Sequence, residues 1–489
     1  MTLKVEVLDE PELIFGGGSR CVDPKIGLLQ SGPVREGGER EPLVIHAGAV
    51  GTVEAVAKLR QMLQLMRHRL APGDDVRTKP WLVDFPGLGG RSRLGFDVRL
   101  EEDKIEHIWP EDEVASLRSD DRFERIETVV QMYERKISAL VDASGAVPPQ
   151  LLLLPLSARM LERCRDPNTE SDDVVYHRRT MARKRRRVPK DYPVLDLHNV
   201  LKVIGIQHHV PVQVLKPRTL LLHADQDPAT TAWNIAVAAY YKGTGSPWKL
   251  ADLEEDTCHV GVSFFVEVGE EATMRAAMAQ VYLRTGESQV IRGKPFRWSP
   301  GQGRRRSPVL TEEQAGEILT DVLEVYRGQW HRDPRRIVIH KSSSFLKSEM
   351  DGFVSAAGSV EKLDLVHIFS KSDTRLFHLH SGYPPLRGTL LWSDGSLDGL
   401  LYTSGFVQAF SSYLGPSVPW PIRFRCDRLS TSIPQVAADI MALTKLDWNN
   451  TNFSTSDPVT LSVADKVGQI LSESKARQLA PPQGYRYYM

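Results

Sequence analysis

The chain has 489 residues, enough for two to four domains at roughly 100–200 residues each. Hydrophobic residues make up 41% and charged residues 25%, and 62 Lys+Arg balance 62 Asp+Glu, which excludes a polycation that holds nucleic acid through its bulk charge. The cysteines Cys21, Cys164, Cys258 and Cys426 have no CxxC spacing, which argues against structural zinc and fits a reducing, cytoplasmic setting.

The stretch MTLKVEVLDEPELIF has no basic region followed by an apolar core, so no signal peptide is expected, and LLLLPL at 151–156 is too short to span a membrane. Residues 1–41 start with a strand-like KVEVL and continue as a Gly- and Pro-rich, extended lead-in. LVIHAG from 43 reads as a buried strand, and TVEAVAKLRQMLQLMRHRL as an amphipathic helix with Val53, Val56, Leu59, Leu63 and Met66 near one face. WLVDFPGLGG (81–90) reads as a second strand and loop, 121–142 as a helix, and QLLLLPLS (150–157) as a third strand. This alternation predicts a parallel, doubly wound sheet. YHRRTMARKRRRVPK (176–190) is either a solvated loop or a segment facing nucleic acid, since arginine forks match phosphate oxygens.

A short helix is expected at 195–209, a strand at 210–215 and a helix at 227–242 opened by Asp227. Beyond the loop GTGSPW come a strand at 259–268, a hairpin turning at Gly286, a helix at 311–330 and the strand of IVIHKSSSF (337–345). LDLVHIFSKS and RLFHL suggest further strands, and 433–450 another helix. The adjacent pair His208-His209, taken as part of a strand, would point to opposite faces and is not read as a metal site.

Several segments resemble Argonaute proteins. WNIAVAAYYKGTGSPWKL (233–250) is similar to the helix and loop between their MID and PIWI domains, with Asn234, Lys242, Gly243, Gly245, Pro247 and Trp248 in place. HNVLK followed by VPVQVL looks like the MID phosphate-pocket helix and the next strand. IHKSSSF looks like a PIWI strand that carries a catalytic aspartate in slicing members, and LDWNNTNF and YRYYM fit the family's C-terminal part. The resemblance covers about 195–489 closely. It implies an α/β chain of the short prokaryotic kind, with a Rossmann-like MID domain at 42–226, a ribonuclease-H-like PIWI domain at 227–489, and residues 1–41 packing on PIWI.

The resemblance also implies a pocket for a guide 5′-phosphate at His198, Lys202, Gln213 and Lys242, with histidine where the family usually has tyrosine and Ala238 where it has another lysine. The carboxylate of Met489 would help hold Mg2+ on that phosphate. Two catalytic aspartates correspond to Ser263, in HVGVSFF, and Ser342, after His340-Lys341; Asp465 falls at the last position of the set. Two-metal hydrolysis needs several carboxylates around ions about 4 Å apart, so no slicing is expected. No role is assigned to Glu287. A serine-hydrolase reading of Ser342–Ser344 lacks the Gly-x-Ser-x-Gly elbow.

The implied activity is binding of a 5′-phosphorylated guide RNA, sensing of single-stranded DNA, and activation of an APAZ-domain effector, a sirtuin-like or TIR NAD hydrolase, in abortive defence. Arg183, Arg185, Arg186, Arg187, Arg304, Arg305 and Arg306 are candidate channel residues. The alternatives are an active PIWI endonuclease using Asp465 with Asp351 or Asp373, and a guide-independent DNA-binding regulator acting through the basic segment.

Overall fold

The computed structural model describes residues 2–35, 43–73, 79–145, 147–165, 196–222, 227–251, 253–254, 256–266, 273–282, 288–297, 308–369, 372, 374–377, 384–415, 418–473 and 484–489. The lead-in contributes β1 (Leu3–Val7), β2 (Leu13–Ile14), β3 (Arg20–Cys21) and a helix, α1 (Pro24–Ser31), where the sequence suggested only extended chain. Asp23 caps that helix, its Oδ1 accepting from Ile26 N at 2.9 Å, and Pro24 presets the first helical φ. Glu10 anchors the lead-in to buried cations farther along the chain, at 2.8 Å from Arg387 Nε and 2.7 Å from Lys445 Nζ.

The first layered unit is built from β4 (Leu43–Thr52), α2 (Val53–Leu65), β5 (Phe96–Ile108), α3 (Pro110–Ser116), α4 (Arg122–Ala143), β6 (Leu151–Pro155), α5 (Ala158–Cys164), α6 (Leu197–Gln207), β7 (Val212–Leu215) and α7 (Pro217–Leu220). Its strands run parallel in the order β5-β4-β6-β7. Ile126, Val130, Tyr133 and Ile137 of α4 pack with Val200, Leu201 and Ile204 of α6 on one face. The other face meets Leu59 and Met62 of α2 and α8 (Pro228–Gly243). α8, the first helix of the 227–489 reading, packs on β4 and β6 and also meets Thr451 and Trp448.

Two strand expectations change. WLVDFPGLGG is not a strand: Trp81 is in a turn, Leu82–Asp84 are irregular, and Val83 and Asp84 turn their carbonyls to Trp233 Nε1, at 3.2 Å each. The second strand is β5, an edge strand whose polar residues hide it from a hydrophobicity pattern. Residues 375–377 of the expected RLFHL strand are loop, and the rest of it lies outside the described residues.

The second unit comprises β8 (Lys249–Leu250), β9 (Thr257–Val266), β10 (Thr273–Tyr282), β11 (Ser288–Arg297), α9 (Glu312–Trp330), β12 (Arg336–Lys341), α10 (Lys347–Ala357), β13 (Lys362–Phe369), β14 (Thr389–Ser393), β15 (Asp398–Leu401), β16 (Phe406–Val407), β17 (Ser412–Tyr413), β18 (Ile422–Arg428), α11 (Ile433–Leu443) and α12 (Val459–Ser472). Nine strands form one sheet in the order β1-β14-β15-β18-β13-β12-β9-β10-β11. β9, β12 and β13 are parallel at its centre, flanked by the antiparallel β9–β10–β11 meander, which gives a ribonuclease-H-like layout. α9 and α10 cover one face. α12 lies directly on β9 because Gly261 has no side chain: a Cβ there would sit 1.9 Å from the Thr460 carbonyl oxygen.

Candidate nucleic-acid interface

The predicted pocket residues converge. Asp196 caps α6 by accepting from His198 N at 2.9 Å and Asn199 N at 3.3 Å. With Val200, Leu201, Val203 and Ile204 buried, one turn of helix carries His198 and Lys202 along a half-buried face. Gly205 lets α6 approach β7 closely, since a Cβ would meet Val212 at 2.4 Å. Lys242, near the end of α8, is 1% exposed; its Nζ donates to Gln213 Oε1 at 2.5 Å and to the Val212 carbonyl at 3.0 Å. The last residues fold back over α6: Lys202 Nζ donates to the Tyr488 carbonyl at 3.4 Å, and Met489 is 1% exposed.

The Asn234 and LDWNNTNF segments meet here as well. Asn234 Oδ1 accepts from Thr451 N at 2.9 Å and from its hydroxyl at 3.1 Å, and Tyr241 packs on Trp448 with ring centroids 4.6 Å apart.

Two cations joined to this site were not expected from the sequence. Lys466 on α12 lies near enough to Lys202 to depress its pKa, and Lys216, just after β7, acts on His198. Lys466 brings charge from the second unit to a site in which Ala238 supplies none. Nothing local in VADKVG marks it; α12 alternates buried valines with an exposed Asp465-Lys466 pair, as any amphipathic helix would. Lys466 itself is 4.0 Å from Asp447.

The site is positively strained. Burial, then the charges of Lys202, Lys242 and Lys216, hold His198 well below the usual imidazole range. Burial and Lys202 hold Lys242 down, and burial and Lys466 bring Lys202 to about 8 against the opposing pull of Asp196. An anion would relieve each of these shifts. For Lys202 the sign is definite: an anion raises its pKa, so binding is fully supported below pH about 8 and weakens as pH rises through and beyond that value. Titrating the Kd of a 5′-phosphorylated oligonucleotide against its 5′-hydroxyl twin checks this; a phosphate preference that grows above pH 8 would contradict it. The free chain behaves oppositely at this residue. Unfolded lysine keeps its proton to about 10.5, so Lys202 adds stability as pH rises from about 8 to 10.5.

The second predicted region lies at the carboxyl ends of β9 and β12. Ser263, two residues beyond Gly261, is 6% exposed and its hydroxyl has no hydrogen-bond partner among the described residues. Ser342 follows β12 and is exposed, as is Asp465 on α12. Behind them His340 is buried with Nδ1 2.8 Å from Thr460 Oγ1, and burial, then His259, lowers its pKa to about 3. His340 is therefore a neutral core histidine and not the base of a serine triad. Lys341 is buried in an ion pair with Glu349, which also accepts from Leu310 N and Leu346 N.

His208 and His209 are not in a strand: His208 caps α6 and His209 takes a positive φ of 54° in the turn beyond it. Among the described residues no group of three or more His, Cys, Asp or Glu is placed to hold a metal, and no helix is long and apolar enough to cross a membrane. Asp351 is exposed on α10. Arg183, Arg185, Arg186, Arg187, Arg304, Arg305, Arg306, Glu287 and Asp373 lie outside the described residues.

The fold is Argonaute-like. Clostridium butyricum Argonaute, solved with a guide DNA (5′ deoxycytidine) and a 19-mer target DNA, matches 97% of this chain at a TM-score of 0.64 and 14% identity, using 53% of its own length. Aquifex aeolicus Argonaute matches 99% of this chain at 0.57 and 14%, using 55% of its length, and its structure with externally bound siRNA gives 0.57, 14% and 56%. At this identity the likeness is one of fold, and the chain spans little more than half the length of these proteins. No protein-family model matches the chain, and no curated protein matches it.

Proposed function

We propose that the chain is a guide-binding, target-sensing subunit that does not itself cut. One observation carries the reading: His198, Lys202 and Lys242, with Lys216 and Lys466 around them, are held in unfavourable proximity at the junction of the two units. Such a cluster suits a terminal phosphate, with three anionic oxygens to share among several donors. Gln213 fixes Lys242, and the fold-back of the last residues closes the pocket. The guide and target DNA bound to C. butyricum Argonaute support the same direction. In this reading a 5′-phosphorylated guide RNA is anchored at the pocket, and base pairing reads a single-stranded DNA target while the protein grips backbone shape.

Mg2+ would enter this pocket only together with the phosphate: Gln213 Oε1 is a side-chain oxygen that would face the ion, while the lysines disfavour a bare cation. Bound there, Mg2+ would neutralise phosphate charge.

Ser263 and Ser342 are neutral groups at two of the three matched positions, and Asp465 alone cannot balance two divalent ions. The output is therefore assigned to a partner, an APAZ-domain effector with a sirtuin-like or TIR NAD hydrolase, which target pairing activates in abortive defence. The test is to express the chain in cells with the gene beside it, sequence and end-label the nucleic acid that co-purifies, and assay target cleavage with magnesium or manganese. Short 5′-phosphorylated RNA, uncut targets and NAD loss on adding complementary DNA are expected. Absence of a defined small RNA, or cleavage abolished by Asp465→Ala, would refute the reading.

A further inference from the structure

Away from the phosphate pocket, one surface interleaves arginines with exposed aromatics. Along β18, Ile422, Phe424 and Cys426 are buried, with α11 over that face, while Arg423 and Arg425 are exposed on the other. The pairing register sets Arg423 beside Phe369 and Arg425 beside His367 on β13, so these four share one face, with Phe369 half-buried and His367 buried. Arg423 Cζ lies 5.2 Å from the Phe369 ring centroid, and the His367 and Phe369 rings are 3.8 Å apart. Beyond the strand end, Ser372 N donates to the Pro421 carbonyl at 3.2 Å, tying Ser372 to Pro421. There Arg375 Cζ stacks 3.2 Å from the Trp420 centroid; Trp420 is 39% and Phe377 73% exposed. The strip begins at the carboxyl ends of β12 and β13, where His367 meets the backbone of exposed Ser342. Ligands of open α/β sheets gather at such ends.

We propose that this strip, Phe369, Arg423, Arg375, Trp420 and Phe377, is a stacking track for single-stranded nucleic acid. Bases stack on aromatic faces regardless of sequence, and neighbouring arginines meet the phosphates. Asp398 and Asp427 pair with Arg423 and Arg425 at 2.8 and 3.3 Å, whereas no carboxylate among the described residues pairs with Arg375. Arg375, Arg423 and Arg425 against Asp398 and Asp427 leave the strip net positive, which suits a phosphate backbone. The track deepens the guide-and-target reading by naming where an unpaired strand lies, but its test does not depend on the pocket.

The full chain is titrated with an oligothymidylate bearing a 5′-hydroxyl, which leaves the phosphate pocket without its group. Phe377→Ala with Arg375→Ala is expected to weaken binding about 10- to 100-fold and to lower the log–log salt slope by about 0.7 for the lost arginine. Trp420→Phe, which keeps a stacking face, should retain most of the affinity where Trp420→Ala loses it. Ultraviolet crosslinks should fall within 369–377 and 418–425. Unchanged affinity in the Phe377/Arg375 double variant, or crosslinks confined elsewhere, would overturn the track. Loss of 5′-phosphate preference in Lys202→Met with oligothymidylate binding intact would separate the two sites.

Discussion

Lys202→Met is expected to remove most of the chain's preference for a 5′-phosphorylated strand over the same strand ending in a hydroxyl. The ratio of the two Kd values should fall about 10- to 100-fold, because a hydrogen bond to a charged group contributes about 1.5–3 kcal/mol. Lys466→Met should act in the same direction and more weakly, since Lys466 is more exposed and stands 4.0 Å from Asp447. The same substitutions should raise the Tm of the free chain. Lys202 gives up solvation and faces Lys466, so its charge is a burden until an anion arrives. A residue with a merely structural role would lower both quantities together. A parent chain with no 5′-phosphate preference would remove the basis of the pocket altogether, whatever the variants did.

What the sequence disclosed about this site follows from how its residues are distributed. His198, Lys202, Gln213 and Lys242 fall within 45 positions on three nearby elements, α6, β7 and α8, and their order resembles a known motif, so they could be named before any coordinates. Lys466 comes from α12, and its approach to Lys202 depends on how that helix crosses α6. The chain order holds no trace of that crossing. Lys216 follows β7 directly, but the readable signal there is the strand, and its effect on His198 emerges only when α6 is laid beside it.

The fold shows the same division. Long elements with a clear period were legible: α4 spans Arg122–Ala143 where 121–142 was expected, and β12 spans Arg336–Lys341. Short or partly polar strands were not. β14 and β15, with five and four residues, carry too little pattern to stand out, yet they extend the sheet to β1. WLVDF misled because an apolar run can serve a loop whose carbonyls are taken by an indole. The aromatic–arginine strip was invisible for a further reason: Phe369, Arg375 and Trp420 become neighbours only through β13–β18 pairing and the Ser372–Pro421 hydrogen bond.

Arg336→Met is expected to destabilise the second unit by about 3–5 kcal/mol, the range for removing one partner of a buried ion pair. Arg336 is 0% exposed at the start of β12. Its Nε lies 2.9 Å from Asp364 and its Nη2 2.7 Å from Asp439, both buried, and Nη1 lies 3.4 Å from Glu254. Burial alone would push the Asp439 carboxyl up; His259 and then Arg336 outweigh it and hold the group below its usual range. The variant leaves two carboxylates buried without their guanidinium, and each must then take up a proton or open the core. This gives the destabilisation a pH signature. In the parent, the depressed Asp439 contributes stability above the unfolded carboxylate range and loses it as pH falls through the folded value. In the variant the carboxyls titrate upward, so the gap between parent and variant narrows as pH falls toward about 4. Urea midpoints at neutral and acid pH measure both effects. Because the network secures β12, β13 and α11 away from α6, folded variant should keep the parent's 5′-phosphate preference. A midpoint equal to the parent's at neutral pH, or a gap that widens in acid, would show that Arg336 is not the counter-charge these carboxylates require.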